Sequence, residues 1–355
     1  MKNKTRFSII LTAIMIMALI TGCGGSQPGA GSSSAASSGA SDAPSGDLYL
    51  GTLSLLNMTE DEYLAITKGK VIANEFLEKQ GVYTGRKVAE FPQFKGVKFY
   101  DTLDAMVMAL EAGDILSAEM PKCTADYLCA HNDKLSEVIT YNTNKADDFS
   151  KKLLARMEVG YSFMLKESNT ALRDEIDKAI GDMKTDGTLK KLIKEYINDG
   201  VFSEQKEVKF DKVQGDTIRI AVTGSVPPMD YVAPDGKFAG FNTAMCAELG
   251  KRLKKNIELV QVDSMGRAAA LSSGQVDAVF WTIGLSESDS GIGQNSEEFE
   301  KTINERKKNS TEEQNKVMEA LNAGMDFDKR LKKDRPDGTI ITQPYYSDLL
   351  IPVGK

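Results

Sequence analysis

The chain has 355 residues, a formal net charge of −7 and 41% hydrophobic residues, an ordinary balance for a globular protein. Its acidity argues against nucleic acid as a partner and against an anionic membrane face. There is one histidine, His131, and no CxxC among the four cysteines, so neither a Cys/His metal site nor a cofactor is expected.

Lys2, Lys4 and Arg6 precede an almost wholly apolar run over residues 8–20. A charged start followed by a short apolar stretch is the pattern of an export signal. The run is shorter than the ~20 residues a comfortable transmembrane helix needs. It ends in Ile20-Thr21-Gly22-Cys23, which resembles the lipobox of bacterial lipoproteins: an aliphatic residue, two small residues, then cysteine. That resemblance implies a signal peptide over 1–22 and a diacylglycerol thioether on Cys23. The membrane then becomes a partner through the lipid anchor, and the folded part sits on the extracytoplasmic face of the cell membrane. The alternative is an ordinary signal peptide or a signal anchor. Loss of residues 1–22 removes three positive charges and no negative one, so the remainder carries −10. Residues 23–46 are mostly Gly, Ser and Ala, with two prolines and one charge, Asp42. They bury too little apolar surface to offset their ordering entropy and read as a flexible leash.

About 310 residues follow the leash, enough for two lobes. Strand-like and helix-like segments alternate, which argues for an α/β architecture. Leu103, Met106, Val107 and Leu110 have helical spacing, with Asp101 as a cap and Gly113 as a stop. Ile115–Met120 reads as a strand, Cys123–Ala130 as a helix and Tyr161–Leu165 as a strand. Two helices follow: one carries the stripe Leu172, Ile176, Ala179, Ile180 and Met183, the other Leu189, Leu192, Ile193, Tyr196 and Ile197. The polar stretch 203–215 interrupts the pattern. Ile218, Ile220 and Val222 then alternate as in a strand, and Pro227-Pro228 and Asp235-Gly236 mark turns. A helix over 242–254, a strand over 276–282, a polar stretch with a helix-like middle over 297–321, and strands at 339–342 and 349–353 complete the series. Cys123, Cys129 and Cys246 are expected as free thiols rather than a disulfide.

Residues 216–284 resemble the start of a periplasmic solute-binding protein, the amino-acid-binding family of ABC importers. The residues carrying this are Ile218-Arg-Ile-Ala-Val222, Pro228-Met-Asp-Tyr231, Asp235-Gly-Lys-Phe-Ala-Gly-Phe241 and Leu271-Ser-Ser-Gly-Gln-Val-Asp-Ala278. Gln343-Pro-Tyr-Tyr-Ser347 is similar to that family's strand leading to the hinge. Residues 97–128, 161–166 and 169–197 are similar to its second lobe, returning hinge strand and closing helices. The resemblance implies an α/β, two-lobed periplasmic-binding-protein type II fold. Family members run lobe one, lobe two, lobe one, whereas here second-lobe sequence comes first. A circularly permuted single protein and a tandem pair of degenerate copies both fit that order. The expected layout is a lobe-two-like domain over 47–155 and a lobe-one-like domain over 156–355 carrying a polar insertion, 286–338.

The family's ligands sit between the lobes. By that resemblance the candidate contacts are Met229 and Tyr231 in the proline-aromatic loop, Phe241, Trp281 and Thr282 at a strand end, and Ser286 at the place of the family's carboxylate-binding threonine. The family's arginine place falls on Asp289, a reversal of charge, and its ammonium-binding aspartate falls on Pro121. Glu119 and Lys122 are the nearest charged candidates there. The expected function is capture of a small polar solute, an amino acid or a relative of one, for delivery to an ABC transporter permease. A sensing or adaptor lipoprotein that has lost transport is the second class. With no Ser-His-Asp set and no metal cluster, an enzyme is not expected.

Overall fold

The structure is a computed structural model that describes residues 48–54, 59–200, 207–283, 310–323 and 335–355. Cys23, Ser286 and Asp289 lie outside the described residues.

Strands and helices alternate through the first half: β1 (Tyr49–Leu53), α1 (Glu60–Lys79), β2 (Tyr83–Gly85), β3 (Gly96–Tyr100), α2 (Leu103–Ala112), β4 (Ser117–Pro121), α3 (Lys122–His131), β5 (Ser136–Glu137), β6 (Ile139–Tyr141) and α4 (Asp148–Met157). β7 (Glu158–Lys166), α5 (Thr170–Thr185) and α6 (Thr188–Leu192) follow, the last continued by a π-helical turn, Ile193–Asn198. The second half holds β8 (Thr217–Val222), β9 (Ser225–Val226), β10 (Asp230–Val232), β11 (Phe238–Ala239), α7 (Phe241–Leu253), β12 (Asn256–Gln261), α8 (Arg267–Ser273) and β13 (Ala278–Ile283). It ends with α9 (Glu312–Ala323), β14 (Thr339–Ile341) and β15 (Tyr346–Gly354).

The main sheet runs β12-β8-β13-β7-β15-β4-β1-β3, with β14 on β7 and β5 on β15. Its two ends have the same plan. β8 lies between its parallel neighbours β12 and β13, and β1 lies between its parallel neighbours β3 and β4. Each set is closed by an antiparallel strand from the other half of the chain: β7 joins β13, and β15 joins β4. Residues 346–349 of β15 also pair with 158–161 of β7, so the two exchanged strands run side by side where the halves meet. The result is an N-terminal lobe on β3-β1-β4-β15 and a C-terminal lobe on β12-β8-β13-β7.

This interleaving bears on the order of the segments. The stripes of α5 and the π-helical turn, Leu172, Ile176 and Tyr196, share one core with Ile218, Ile220 and Val222 of β8. A tandem copy would have to cover those helices with the first half alone. Instead these helices pack with strands of the second half in one two-lobed α/β body.

Local sequence explains most boundaries. Thr59 and Glu62 form a reciprocal capping box at the start of α1. Gly113, at φ 85°, closes α2 in the left-handed conformation that glycine adopts without steric cost. Asp101, expected as the cap of α2, is one residue early: Thr102 accepts from the Ala105 N–H, and Asp101 is left for another partner. Gly240, at φ 99°, lets α7 start against the 228–229 loop, where a Cβ would lie 2.6 Å from the Pro228 carbonyl oxygen. The free thiols expected from the sequence are free, with Cys123 and Cys246 buried.

The described part of the polar stretch 286–338 includes a packed helix. α9 lies on α1, with Val317 and Leu321 in the N-terminal core. Gly69 makes the approach possible, because a Cβ there would lie 2.9 Å from the Ala320 carbonyl oxygen. Val317 and Leu321, four apart, form its apolar stripe with Met318 beside them, and Lys79 and Arg156 donate to Glu313 and Asn322 of the helix.

Candidate functional site

The facing ends of the lobes are the C-terminal ends of their parallel strands. On the N-terminal side these are Ser54 after β1 and Asp101 after β3. Opposite them stand the 264–267 turn, the start of α8 and the end of β13. Two hydrogen bonds join the sides: the Met265 N–H donates to Asp101 Oδ1 (3.1 Å), and Arg267 Nη2 donates to the Ser54 carbonyl (3.4 Å). Val226 of β9 also enters the core of the N-terminal lobe. The lobes are therefore in contact across this seam.

Arg267 is the centre of the seam. It is 3% exposed, and its guanidinium also donates to the carbonyls of Ser264 (2.8 Å) and Phe280 (2.6 Å) while lying 4.9 Å from the Trp281 ring centre. Carbonyl dipoles and an aromatic face are what a buried cation needs in place of water. Burial lowers its pKa to about 10, against the opposing pull of Asp230 and Asp101. Nearby, a buried polar chain stiffens the proline-aromatic loop. Asp230 accepts from Thr223 Oγ1 (2.5 Å), the Gly224 N–H (2.7 Å) and Asn242 Nδ2 (3.0 Å), and Tyr345 donates to Asn242 Oδ1 (2.9 Å).

The sequence-expected contacts divide by location. Trp281 and Thr282 lie at the seam and are buried. Tyr231 also faces across it: burial first, then Tyr127 of α3, raise its phenol to about 12. Met229 and Phe241 point into the C-terminal core, Phe241 packing on Tyr345 and Tyr346 with ring centres 6.0 and 5.5 Å apart. Asp230 and Asn242 beside them are buried too, in the polar chain described above. Lys122 opens α3, with Nζ 2.6 Å from Asp126 and 3.5 Å from Glu137.

Glu119 is elsewhere. It is on the α1 side of β4, two residues before the strand's end, and lines a separate cavity inside the N-terminal lobe. Its Oε1 is 3.3 Å from Lys70 Nζ of α1, and burial pushes its carboxyl up to about 8.

The exchanged strands carry a further buried acid. Asp348 of β15 accepts the Cys123 N–H (2.8 Å) at the start of α3, and burial raises its carboxyl to about 6. Burial also raises the adjacent Cys123 thiol and the Tyr161 and Tyr346 phenols. Asp348 thus ties α3 to the strand pair that links the lobes.

Arg267, Ser54 and Asp348 were not among the sequence candidates. Arg267 had a visible signal: it is the only charged residue between Asp263 and Asp277, in a run of small and apolar residues. Ser54 contributes a backbone carbonyl, which no side-chain pattern marks.

Comparison with known proteins agrees with the resemblance read from the second half. Residues 218–326 match the family model of bacterial extracellular solute-binding proteins, family 3. No curated protein sequence matches. Among solved structures, the chain is similar to the ligand-binding component of an ABC-type import system from Staphylococcus aureus, at 12% identity over 70% of this chain and 56% of that one, with a TM-score of 0.30. It is similar to the periplasmic aliphatic sulphonate binding protein SsuA from Escherichia coli at 12% identity, over 84% and 86% of the two chains, with a TM-score of 0.29. Lipoprotein Tp32 from Treponema pallidum is similar at 13% identity, over 67% and 70%, with a TM-score of 0.28. The chain spans little more than half the length of the Staphylococcus aureus structure. At these TM-scores the strand order described above, not the neighbours, carries the fold.

Proposed function

We propose that this protein is the solute-binding component of an ABC importer, held at the extracytoplasmic face of the cell membrane by a lipid on Cys23. It captures a small polar solute, an amino acid or a related compound, between its lobes and presents it to the permease. The family match over 218–326 is the observation that carries this reading. The paired strands β7 and β15 supply a hinge, since a bend at residues 158–161 and 346–349 would separate the lobes, withdrawing Val226 from the N-terminal core.

In this reading Arg267 does the work that the family gives to an arginine three residues beyond the threonine place, where this chain has Asp289. Opening breaks the bond from Arg267 to Ser54 and turns part of the guanidinium toward the space between the lobes. A planar donor group of that kind suits a carboxylate or another bidentate acceptor. Trp281, Thr282, Tyr231 and Tyr127 complete the wall, and closure buries the ligand.

Thermal denaturation against amino acids, short peptides, sulphonates and metal–chelate complexes tests it. The true ligand raises Tm according to RT ln(1 + [L]/Kd), a shift that Arg267→Met abolishes. If no compound in the panel shifts Tm, transport is the wrong reading and a sensing or adaptor role replaces it. Cys23→Ser should move the protein from the membrane fraction to the soluble one, because the acyl chains supply the anchor.

A further inference from the structure

The N-terminal lobe contains a cavity of 680 Å³ that lies apart from the seam. Its floor is the sheet face formed by Leu50 of β1, Ser117 and Glu119 of β4, and Leu350 and Pro352 of β15. These positions are two apart on each strand and so face the same way. The roof is one stripe of α1, from Leu64 through Lys70 and Val71 to Asn74, and one wall is the 88–94 connection that enters β3. That connection meets the N-terminal ends of the parallel strands. Ser54 and Asp101, which meet the other lobe, are at the opposite ends.

Most of the wall is apolar, but the floor is not. Glu119 is 8% exposed and Ser117 4% exposed, and Glu119 Oε2 and Ser117 Oγ have no hydrogen-bond partner among the described residues. Two buried orphan oxygens side by side cost stability unless something enters to bond them. The equivalent strand of the C-terminal lobe, β13, turns Ala278 and Phe280 to the same face, where Phe163, Phe241 and Tyr345 fill the space. The shared plan can thus be filled with side chains, and in the N-terminal lobe it is not.

We propose that this cavity is a second small-molecule site, separate from the space between the lobes, that takes an uncharged amphipathic compound with a hydroxyl head and an apolar body. The head is uncharged because the space is largely apolar and Lys70, 3.3 Å from Glu119, is already engaged with that carboxyl, so a charged head would be desolvated without a partner of its own. A hydroxyl both donates and accepts, which matches Ser117 Oγ and either protonation state of Glu119. Its body packs on Leu64, Val71, Phe91 and Phe94. Lys68, exposed at the rim, leaves the entrance polar.

The test uses one body with three heads: 2-phenylethanol, 2-phenylethylamine and 3-phenylpropionate. Each is titrated into the protein with amide shifts followed by NMR. The alcohol should shift residues of α1, β4 and the 88–94 connection. The charged compounds should bind at least about tenfold more weakly, the discrimination expected when a buried group lacks a partner. Val71→Trp, which grows into the cavity from a partly exposed position, should remove the alcohol response without unfolding the lobe. Ser117→Ala should weaken it by roughly fivefold. Any of four results overturns the proposal: no response to the alcohol, shifts confined to Arg267 and Trp281, an unaltered response in folded Val71→Trp, or tighter binding of a charged compound. The first would mean that water alone satisfies the floor. Shifts at Arg267 would assign the alcohol to the seam and leave the transport reading untouched.

Discussion

The two lobes share a strand plan and differ in how they fill it. In the C-terminal lobe the sheet face under α5 and α7 is packed with Phe163, Phe241, Phe280 and Tyr345, four rings with successive centres 4.9–6.1 Å apart. Aromatic contacts at such distances add to the gain from buried area. The corresponding face of the N-terminal lobe carries Ser117, Glu119 and Pro352 under α1 and keeps a cavity. Topology fixes where a core face lies, and side-chain volume decides whether that face becomes a core or a pocket.

The comparison breaks most directly by truncation. Phe163→Ala should cost about 3–5 kcal/mol, the range for a large buried ring removed from a full core. Val71→Ala, at the cavity wall, should cost less than about 1 kcal/mol, since the space beside it is already open. Urea denaturation of both variants checks this, and equal costs would show that the N-terminal lobe is as tightly filled as its counterpart.

A second difference lies in what crosses into each lobe. The N-terminal lobe depends on β15 and α9 from the far end of the chain, and α9 is seated at Gly69. Gly69→Val should push the helices apart and cost about 2 kcal/mol, the usual range for overpacking. Amide exchange should then speed up in α9 before it does in β8 or β13. Unchanged protection in α9 would mean that the helix is held by something other than this contact.

The strand pair between the lobes gives a pH signature. The Asp348 carboxyl titrates near 6 when folded, above the usual 3.8, because burial disfavours its charge. Such a group favours the folded state below its unfolded value, and that contribution is lost as pH rises through about 6. Asp348→Asn keeps an oxygen to accept the Cys123 N–H without the charge. It should match the parent near pH 4 and exceed it by about 2 kcal/mol at pH 7.5, measured by denaturation across that range. A constant offset at every pH would mean that Lys122, Tyr161 and Tyr346 already compensate the ion. A modest effect belongs to the α1 cap. Thr59→Ala should cost about 1 kcal/mol and loosen the first turn above the cavity.

How much was legible beforehand differs between the same two lobes. Most of the C-terminal lobe could be read: β8, α7, β13 and the stripe of α5 stand out because their apolar periods are clean and their motifs resemble a known family. α1 was missed, although Thr59 and Glu62 spell a capping box, because its apolar residues are diluted by polar ones. With α1 went the roof of the cavity and Lys70. The candidate contacts followed the same rule. Trp281, Thr282 and Tyr231 reached the seam, whereas Met229, before β10, and Phe241, at the start of α7, are packed into the core.

What the sequence determined by itself is local: the alternation of strand and helix, the caps, the turns, and the similarity of 218–326 to one family. These follow from periodicity and backbone chemistry within a few residues. The tertiary structure decided the rest. It exchanged β7 and β15 between the halves, brought Arg267 to the Ser54 carbonyl, set α9 on Gly69 and left Ser117 and Glu119 facing a cavity. Each of these pairs residues far apart in the chain, and its energy depends on the volume and dielectric that both partners make together.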